Sequence, residues 1–323
     1  MRQSASREAV RLQGTLDDGI AAKVSSRRAR ARVQTVFSSQ MLGPEHRFAL
    51  SSALAGVVVC LGAFAGSAQG GPPLAGSFVD GTLASAAGAL SYEVYLPPGY
   101  SSSEKRYPVI YYLHGLPAGP LGYRGFAYVP TAIEREGLQA IVVAPQAATT
   151  ADTDPEYLNK GTGEEWDTAI ATQLPNQIDA EFRTIPVRGA RAIVGVSAGG
   201  YGAMLLGLHH LARFSVIESW SGYFHPTDPT GATPIPSSIW ERADSFVPGL
   251  RRALAVHPTL IAFYVGAADT LFRRENVEYA RALSRAGVPF RFRIFPGGHQ
   301  QSLWTAQAPD WLSLALAQLE QPR

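Results

Sequence analysis

The residues best suited to chemistry lie in Gly195-Val196-Ser197-Ala198-Gly199, which follows the apolar run Arg191–Val194 and precedes a helix-like stretch. A Gly-x-Ser-x-Gly string is common. Between a strand and a helix it describes a sharp turn that pushes the serine hydroxyl clear of the sheet. The helix amino terminus just beyond favours developing negative charge. A serine hydroxyl is a poor nucleophile at neutral pH, so it needs a base, and the base needs an orienting acid. In this arrangement the chain order is Ser, then Asp or Glu, then His.

Seven histidines are present. His299 has the right order and place, after an apolar run Phe290–Phe295 and the flexible Pro296-Gly297-Gly298. His46 precedes an apolar segment, His225 comes too early, and His257 precedes a strand-like run. His209 and His210 sit about 18 Å along the helix from Ser197. For the acid, Asp269 ends Gly266-Ala-Ala-Asp269, between Ser197 and His299. Its other reading is a cap for the following helix. Asp244 and Glu275 are weaker alternatives, and Asp310 comes after the histidine. Two donors must also meet the oxyanion of a tetrahedral intermediate. The Ala198 amide is one. The second comes from the loop His114–Gly119, with the Leu116 amide preferred and Gly115 as the alternative, since Pro117 has no N–H. His114 reads as a structural residue whose hydrogen bond shapes that loop.

The elements that position these residues alternate. Candidate strands are 91–96, 109–113, 140–144, 190–196, 214–218, 260–265 and 290–295. Candidate helices are 165–182, 199–210, 273–286 and 309–319. Thr162-x-x-Glu165 predicts a capping box at the first helix, and Pro175 a kink or restart within it. Apolar strands alternating with helices predict an α/β fold with a mostly parallel central sheet, covered by helices on both faces. Such sheets carry their sites at the carboxyl ends of the strands.

The chain has 323 residues, 46% apolar and 17% charged, which excludes wholesale disorder and fibrous repeats. Its formal charge of +2 is uneven: residues 1–47 hold nine basic and four acidic residues, which leaves −3 for the rest. The mildly acidic remainder argues against nucleic acid as a partner. One cysteine, Cys60, excludes an internal disulfide and a Cys-rich metal site. Residues 1–47 read as a disordered basic lead, and 1–40 as an over-extended start ahead of Met41. Residues 48–65 are uncharged and apolar, and small residues follow; 48–70 is expected to be a secretory signal peptide, cut near Ala68 or Ala65. An uncleaved membrane anchor over 48–65 is the alternative. Lipidation at Cys60 is disfavoured by the bulky Val59, and Arg27-Arg28 is a weak twin-arginine match. Residues 71–323 then form one domain with a Pro-rich insert near 224–256, read as a lid or specificity segment or a plain surface excursion.

Several strings together resemble the putative-esterase family of α/β-hydrolases, which includes esterase D, feruloyl and acetylxylan esterases and mycolyltransferases. They are Val94–Tyr100, Tyr107–Gly115, Leu174-Pro175 before Ile178-Asp179, Ile193–Ala203, Tyr264–Asp269, and Pro296–His299 with Trp304. The resemblance runs from about Tyr92 to Trp311 and implies an α/β-hydrolase fold. It implies catalysis by Ser197, Asp269 and His299, with the Leu116 and Ala198 amides as oxyanion hole. Ala198 replaces a common Met, and Gln173 a usual Glu.

The expected activity is that of a secreted serine hydrolase cleaving carboxylic esters of small molecules or carbohydrates through an acyl-enzyme on Ser197. No metal or organic cofactor is expected, since no metal-ligand, phosphate-loop or dinucleotide string is present. The alternatives are a mycolyltransferase-like acyltransferase to a sugar hydroxyl, and a non-catalytic cell-wall or carbohydrate-binding protein on the same fold. Formylglutathione is disfavoured because it is cytosolic. Ser102-x-x-Lys105 lacks a Lys-Thr-Gly partner and reads as chance.

Overall fold

The computed structural model describes residues 73–116, 121–147, 157–227, 237–238 and 241–323. The expected basic lead and signal segment lie outside these residues.

Eight strands form one sheet: β1 (Ser77–Ser85), β2 (Gly88–Leu96), β3 (Val109–Leu113), β4 (Ile141–Pro145), β5 (Arg191–Val196), β6 (Val216–Trp220), β7 (Leu260–Gly266) and β8 (Arg291–Phe295). Their spatial order is β1-β2-β4-β3-β5-β6-β7-β8. The β1–β2 and β2–β4 pairings are antiparallel, and β4 through β8 are parallel. Strands β3, β4, β5 and β6 are buried along their whole length; β3 and β4 are accordingly unbroken apolar runs, while β5 and β6 also bury Arg191 and Glu218. Strand β1 was not expected. It lies at an edge, is largely exposed, and carries only a weak apolar pattern.

Helices cover both faces. On one face lie α1 (Tyr128–Arg135) and, at the carboxyl terminus, Gln301–Leu316, with Ile133, Trp311 and Leu312 buried in a shared core. That terminal helix begins eight residues before the expected Pro309 and carries this proline inside it. On the other face lie α2 (Trp166–Thr168), α3 (Leu174–Glu181), α4 (Ala198–His209), α5 (Val247–Val256) and α6 (Arg273–Arg285), which makes the terminal helix α7. Ile178, Leu205, Leu250 and Leu283 enter that second core. Fully burying each such side chain contributes about 1.5–3 kcal/mol. Helix α4 is buried from Ala198 to Leu208, so it is apolar all round rather than along one stripe.

The expected helix 165–182 forms as one continuous helical run from Trp166 to Glu181, with a π-helical stretch, Ala169–Gln173, between α2 and α3 just before Pro175, which lacks the N–H for a regular helical bond. The capping box does not form. Glu165 occupies the cap position without a side-chain bond; it closes a short loop with Asn159 through an antiparallel bridge, turned at residues 161–164. Gln173 uses its side-chain oxygen to accept the Ala86 N–H at 2.8 Å. The Pro-rich insert is described only in part. Its later portion holds α5, whose Leu250 and Leu254 pack into the core.

One buried carboxyl bears on the pH dependence of stability. Glu218, in the middle of β6, has no exposed surface. Trp220 Nε1–H donates to its Oε2 at 3.0 Å. Burial dominates and pushes its carboxyl up to about 8 from an ordinary 4.5. The folded chain therefore keeps this proton over a range where the unfolded chain releases it. The resulting stability is full below about pH 4.5 and is lost as pH rises through about 8. Glu218→Gln should remove that slope. Melting temperatures measured from pH 5 to 8 should fall more steeply for the wild type than for the variant.

Candidate active site

Ser197 lies between the end of β5 and the start of α4 with φ 55° and ψ −120°, a strained conformation for a residue with a side chain. Its N–H donates to the Trp220 carbonyl at 2.9 Å, which fixes the turn to β6. The turn demands a close approach two residues later. A Cβ on Gly199 would sit 2.0 Å from the Leu113 carbonyl oxygen at the end of β3. Only glycine lets α4 start this close to the sheet.

The loops after β7 and β8 interlock. Ala267 N–H donates to Phe295 O at 2.7 Å, and Ala268 N–H to Gly297 O at 2.8 Å. A Cβ on Gly266 would meet Gly297 O at 2.4 Å, so this contact also requires glycine. The interlock sets Asp269 against His299. His299 Nδ1 lies 2.9 Å from Asp269 Oδ2, and His299 Nε2 lies 2.9 Å from Ser197 Oγ. Asp269 is 2% exposed. Its other oxygen accepts the amides of Leu271 and Phe272, both at 3.0 Å. Phe272 is the cap residue of α6. One oxygen of Asp269 thus holds the turn leading into α6 and the other faces the imidazole; the cap position itself is Phe272, with no side-chain cap bond, so Asp269 is not the helix cap. These bonds leave the carboxylate one free direction, toward the imidazole.

The weaker acids are engaged elsewhere. Asp244 holds Arg242 through both oxygens, at 3.0 and 2.8 Å. Glu275 accepts the Phe224 N–H at 2.6 Å and pairs with His225 at 2.7 Å. That carboxylate raises the His225 pKa.

The Ala198 amide begins α4, where the first helical N–H groups have no partner within the helix. The loop expected to give the second donor abuts the nucleophile. A Cβ on Gly115 would lie 3.0 Å from Ser197 Cβ and 3.7 Å from Ser197 Oγ. This places the Gly115–Leu116 backbone beside the hydroxyl. His114 is buried, and its Nδ1–H donates to the Gly115 carbonyl at 2.9 Å, which stiffens the loop. Burial pushes its imidazole pKa down. Tyr157 O–H donates to the His114 carbonyl at 2.6 Å from beneath.

Two supports were not assigned from sequence. His299 stands between Phe272 and Trp304, each edge-on with centroids 5.2 Å away. Trp304 is held by its indole N–H, which donates to Ser221 Oγ at 3.0 Å. Ser221 follows β6 with φ 51°, fully buried, and its N–H donates to Tyr264 O at 2.7 Å. The aromatic residue five places after His299 was the only visible signal for this wall.

A mostly parallel eight-stranded sheet, helices on both faces, and a serine on a strained strand-to-helix turn define the α/β-hydrolase fold. The family model described as Putative esterase matches residues 85–313, and the chain belongs to that family. It is 26% identical over 237 residues to an esterase of Mycobacterium tuberculosis, covering 64% of this chain and 51% of that one. It is 39% identical over 66 residues to the MPT51/MPB51 antigen of Mycobacterium bovis, 20% of this chain and 21% of the antigen. The chain thus spans about half the length, or less, of these curated relatives. A solved ferulic acid esterase superposes with a TM-score of 0.65 at 26% identity, over 75% of this chain and 98% of that one.

Proposed function

We propose that this chain is a serine hydrolase of carboxylic esters that works through an acyl-enzyme on Ser197. The observation that carries this reading is the unbroken chain from Ser197 Oγ through His299 to the buried Asp269 carboxylate. Ser197 O–H donates to His299 Nε2 while His299 Nδ1–H donates to Asp269. As Ser197 Oγ attacks the ester carbonyl, Nε2 takes its proton, and the carbonyl oxygen becomes an oxyanion. The Ala198 and Leu116 amides stabilise that oxyanion. Asp269 keeps the imidazole in the productive tautomer and stabilises the imidazolium. Nε2–H then protonates the leaving alcohol, and the acyl group stays on Ser197. A water enters, Nε2 takes its proton, and the acid departs as the proton returns to Ser197.

The likeness to a ferulic acid esterase supports esters of ferulic acid as first substrates to test. Nitrophenyl esters of rising chain length should be compared with feruloyl and acetyl sugar esters, with and without a free sugar acceptor. Saturable hydrolysis of at least one class supports the reading. Products dominated by acylated sugar would make the chain an acyltransferase. No turnover of any class by folded protein would overturn the reading.

Export is part of the same proposal, carried by the apolar segment 48–65 with small residues after it. Among the described residues, no helix is long and apolar enough to cross a membrane. Amino-terminal sequencing from the host's medium or envelope should find a start between Gly66 and Gly71. Intact residues 1–60 on cytoplasmic protein would contradict it.

A further inference from the structure

A second cluster of chemically active side chains lies at the opposite end of α4 from Ser197. Asp167, in the first turn of α2, faces His209 and His210. His209 Nδ1 lies 2.5 Å from Asp167 Oδ2, and His210 Nε2 lies 2.5 Å from Asp167 Oδ1. One ligand atom from each of the three residues lies within 4.8 Å of the other two. Consecutive residues on a continuing helix diverge by about 100°. They converge here because the helix ends: His210 leaves helical geometry at φ −118° and ψ 44°. The different nitrogens used, Nδ1 and Nε2, complete the convergence.

The surroundings suit a bound ion. Asp167 is buried, while the two imidazoles keep 20% and 25% of their side-chain surface. The cluster lines a cavity of about 470 Å³ together with Asn159, Ser238, Glu241 and Phe246. Two imidazole nitrogens and one carboxylate oxygen form a borderline donor set that suits zinc-like ions better than calcium or magnesium.

We propose that Asp167, His209 and His210 form a binding site for one divalent transition-metal ion of the zinc class, clamping the end of α4 to the start of α2. Zinc takes such donors at about 2.0–2.2 Å, which puts neighbouring donors about 3.3 Å apart in a tetrahedron. Each short imidazole–carboxylate contact would open by less than about 1 Å, and each imidazole would carry its proton on the other ring nitrogen, leaving His209 Nδ1 and His210 Nε2 to bind the metal. The fourth position would face the cavity. The cluster lies about 18 Å along α4 from Ser197 and touches none of the reacting atoms. The site is therefore structural, and its test is independent of the esterase reading.

The test uses the full purified chain, stripped with a chelator and titrated calorimetrically with zinc ion alone, alongside His210→Gln, Asp167→Asn and a His257→Gln control. The wild type and His257→Gln should bind one equivalent saturably and melt at a higher temperature with zinc than without. His210→Gln and Asp167→Asn should each bind about tenfold or more weakly and lose the melting shift. If Asp167→Asn does not fold, His210→Gln decides, since its side chain is a quarter exposed. No saturable binding by the wild type, or undiminished binding by folded His210→Gln, would overturn the proposal.

Discussion

Ser197→Ala should leave a folded chain whose ester turnover is lower by about 10⁴-fold or more. The substitution removes one oxygen atom and adds no bulk, so the turn and the start of α4 keep their packing. The φ of 55° is no more strained for alanine than for serine, and the N–H of residue 197 still reaches the Trp220 carbonyl. The nucleophile alone is lost. Residual turnover would come from water activated by His299 beside the oxyanion donors. A melting temperature close to wild type with turnover about 10⁴-fold or more below wild type is the expected pair of results. Near wild-type turnover would remove Ser197 from the reaction.

Asp269→Asn should cut turnover by about 10²–10⁴-fold, and the geometry states why. The Leu271 and Phe272 amides both donate to Oδ1, so an asparagine at 269 keeps its oxygen there and turns its NH₂ toward His299. Two donors cannot face each other. His299 Nδ1 must then give up its proton and accept, which leaves the proton on Nε2, opposite Ser197 Oγ. The imidazole can no longer act as a base from that tautomer. Asp269 is not on a surface loop but buried, so losing its charge next to the imidazolium adds to the effect. Asp244→Asn disturbs only a partly exposed pair with Arg242, and Glu275→Gln still offers an oxygen to the Phe224 N–H. Each should cost less than about tenfold. Steady-state kinetics on the three purified variants, with the fold verified by melting, would separate them. A severe Asp244→Asn or Glu275→Gln beside a mild Asp269→Asn would reassign the acid.

The parts of the fold legible in the sequence were those where burial is uniform. Strand β3 is a run of five apolar residues, each buried, and its bounds in the structure match those expected. The serine, acid and histidine were legible because each follows a strand at its carboxyl end, so chain order and element order gave one arrangement. Elements with mixed burial were harder to see. Strand β1 earns its place through nine backbone pairings with β2 rather than through apolar side chains. Helix α1 is eight residues long and carries Pro130, which masks its buried Val129, Ala132 and Ile133. In α7, Pro309 looked like a first-turn residue, yet the helix starts at Gln301 to set Leu303 and Trp311 against the sheet.

Contacts between distant segments left no local trace. Asp167 is 42 and 43 residues from His209 and His210, so no spacing motif joins them. They meet because α2 begins beside the point where α4 ends. The pinning of Trp304 by Ser221 spans 83 residues and is hidden in the same way.

A covalent acyl group at Ser197 is the central step of the mechanism, and peptide mass mapping tests it most directly. The chain is mixed with an excess of a nitrophenyl ester that it turns over, quenched in acid within the first turnovers and digested. One acyl group per chain should be found on the peptide containing Ser197, and none on the same peptide from Ser197→Ala. Active turnover with that peptide unmodified and the acyl group on another residue would contradict the mechanism.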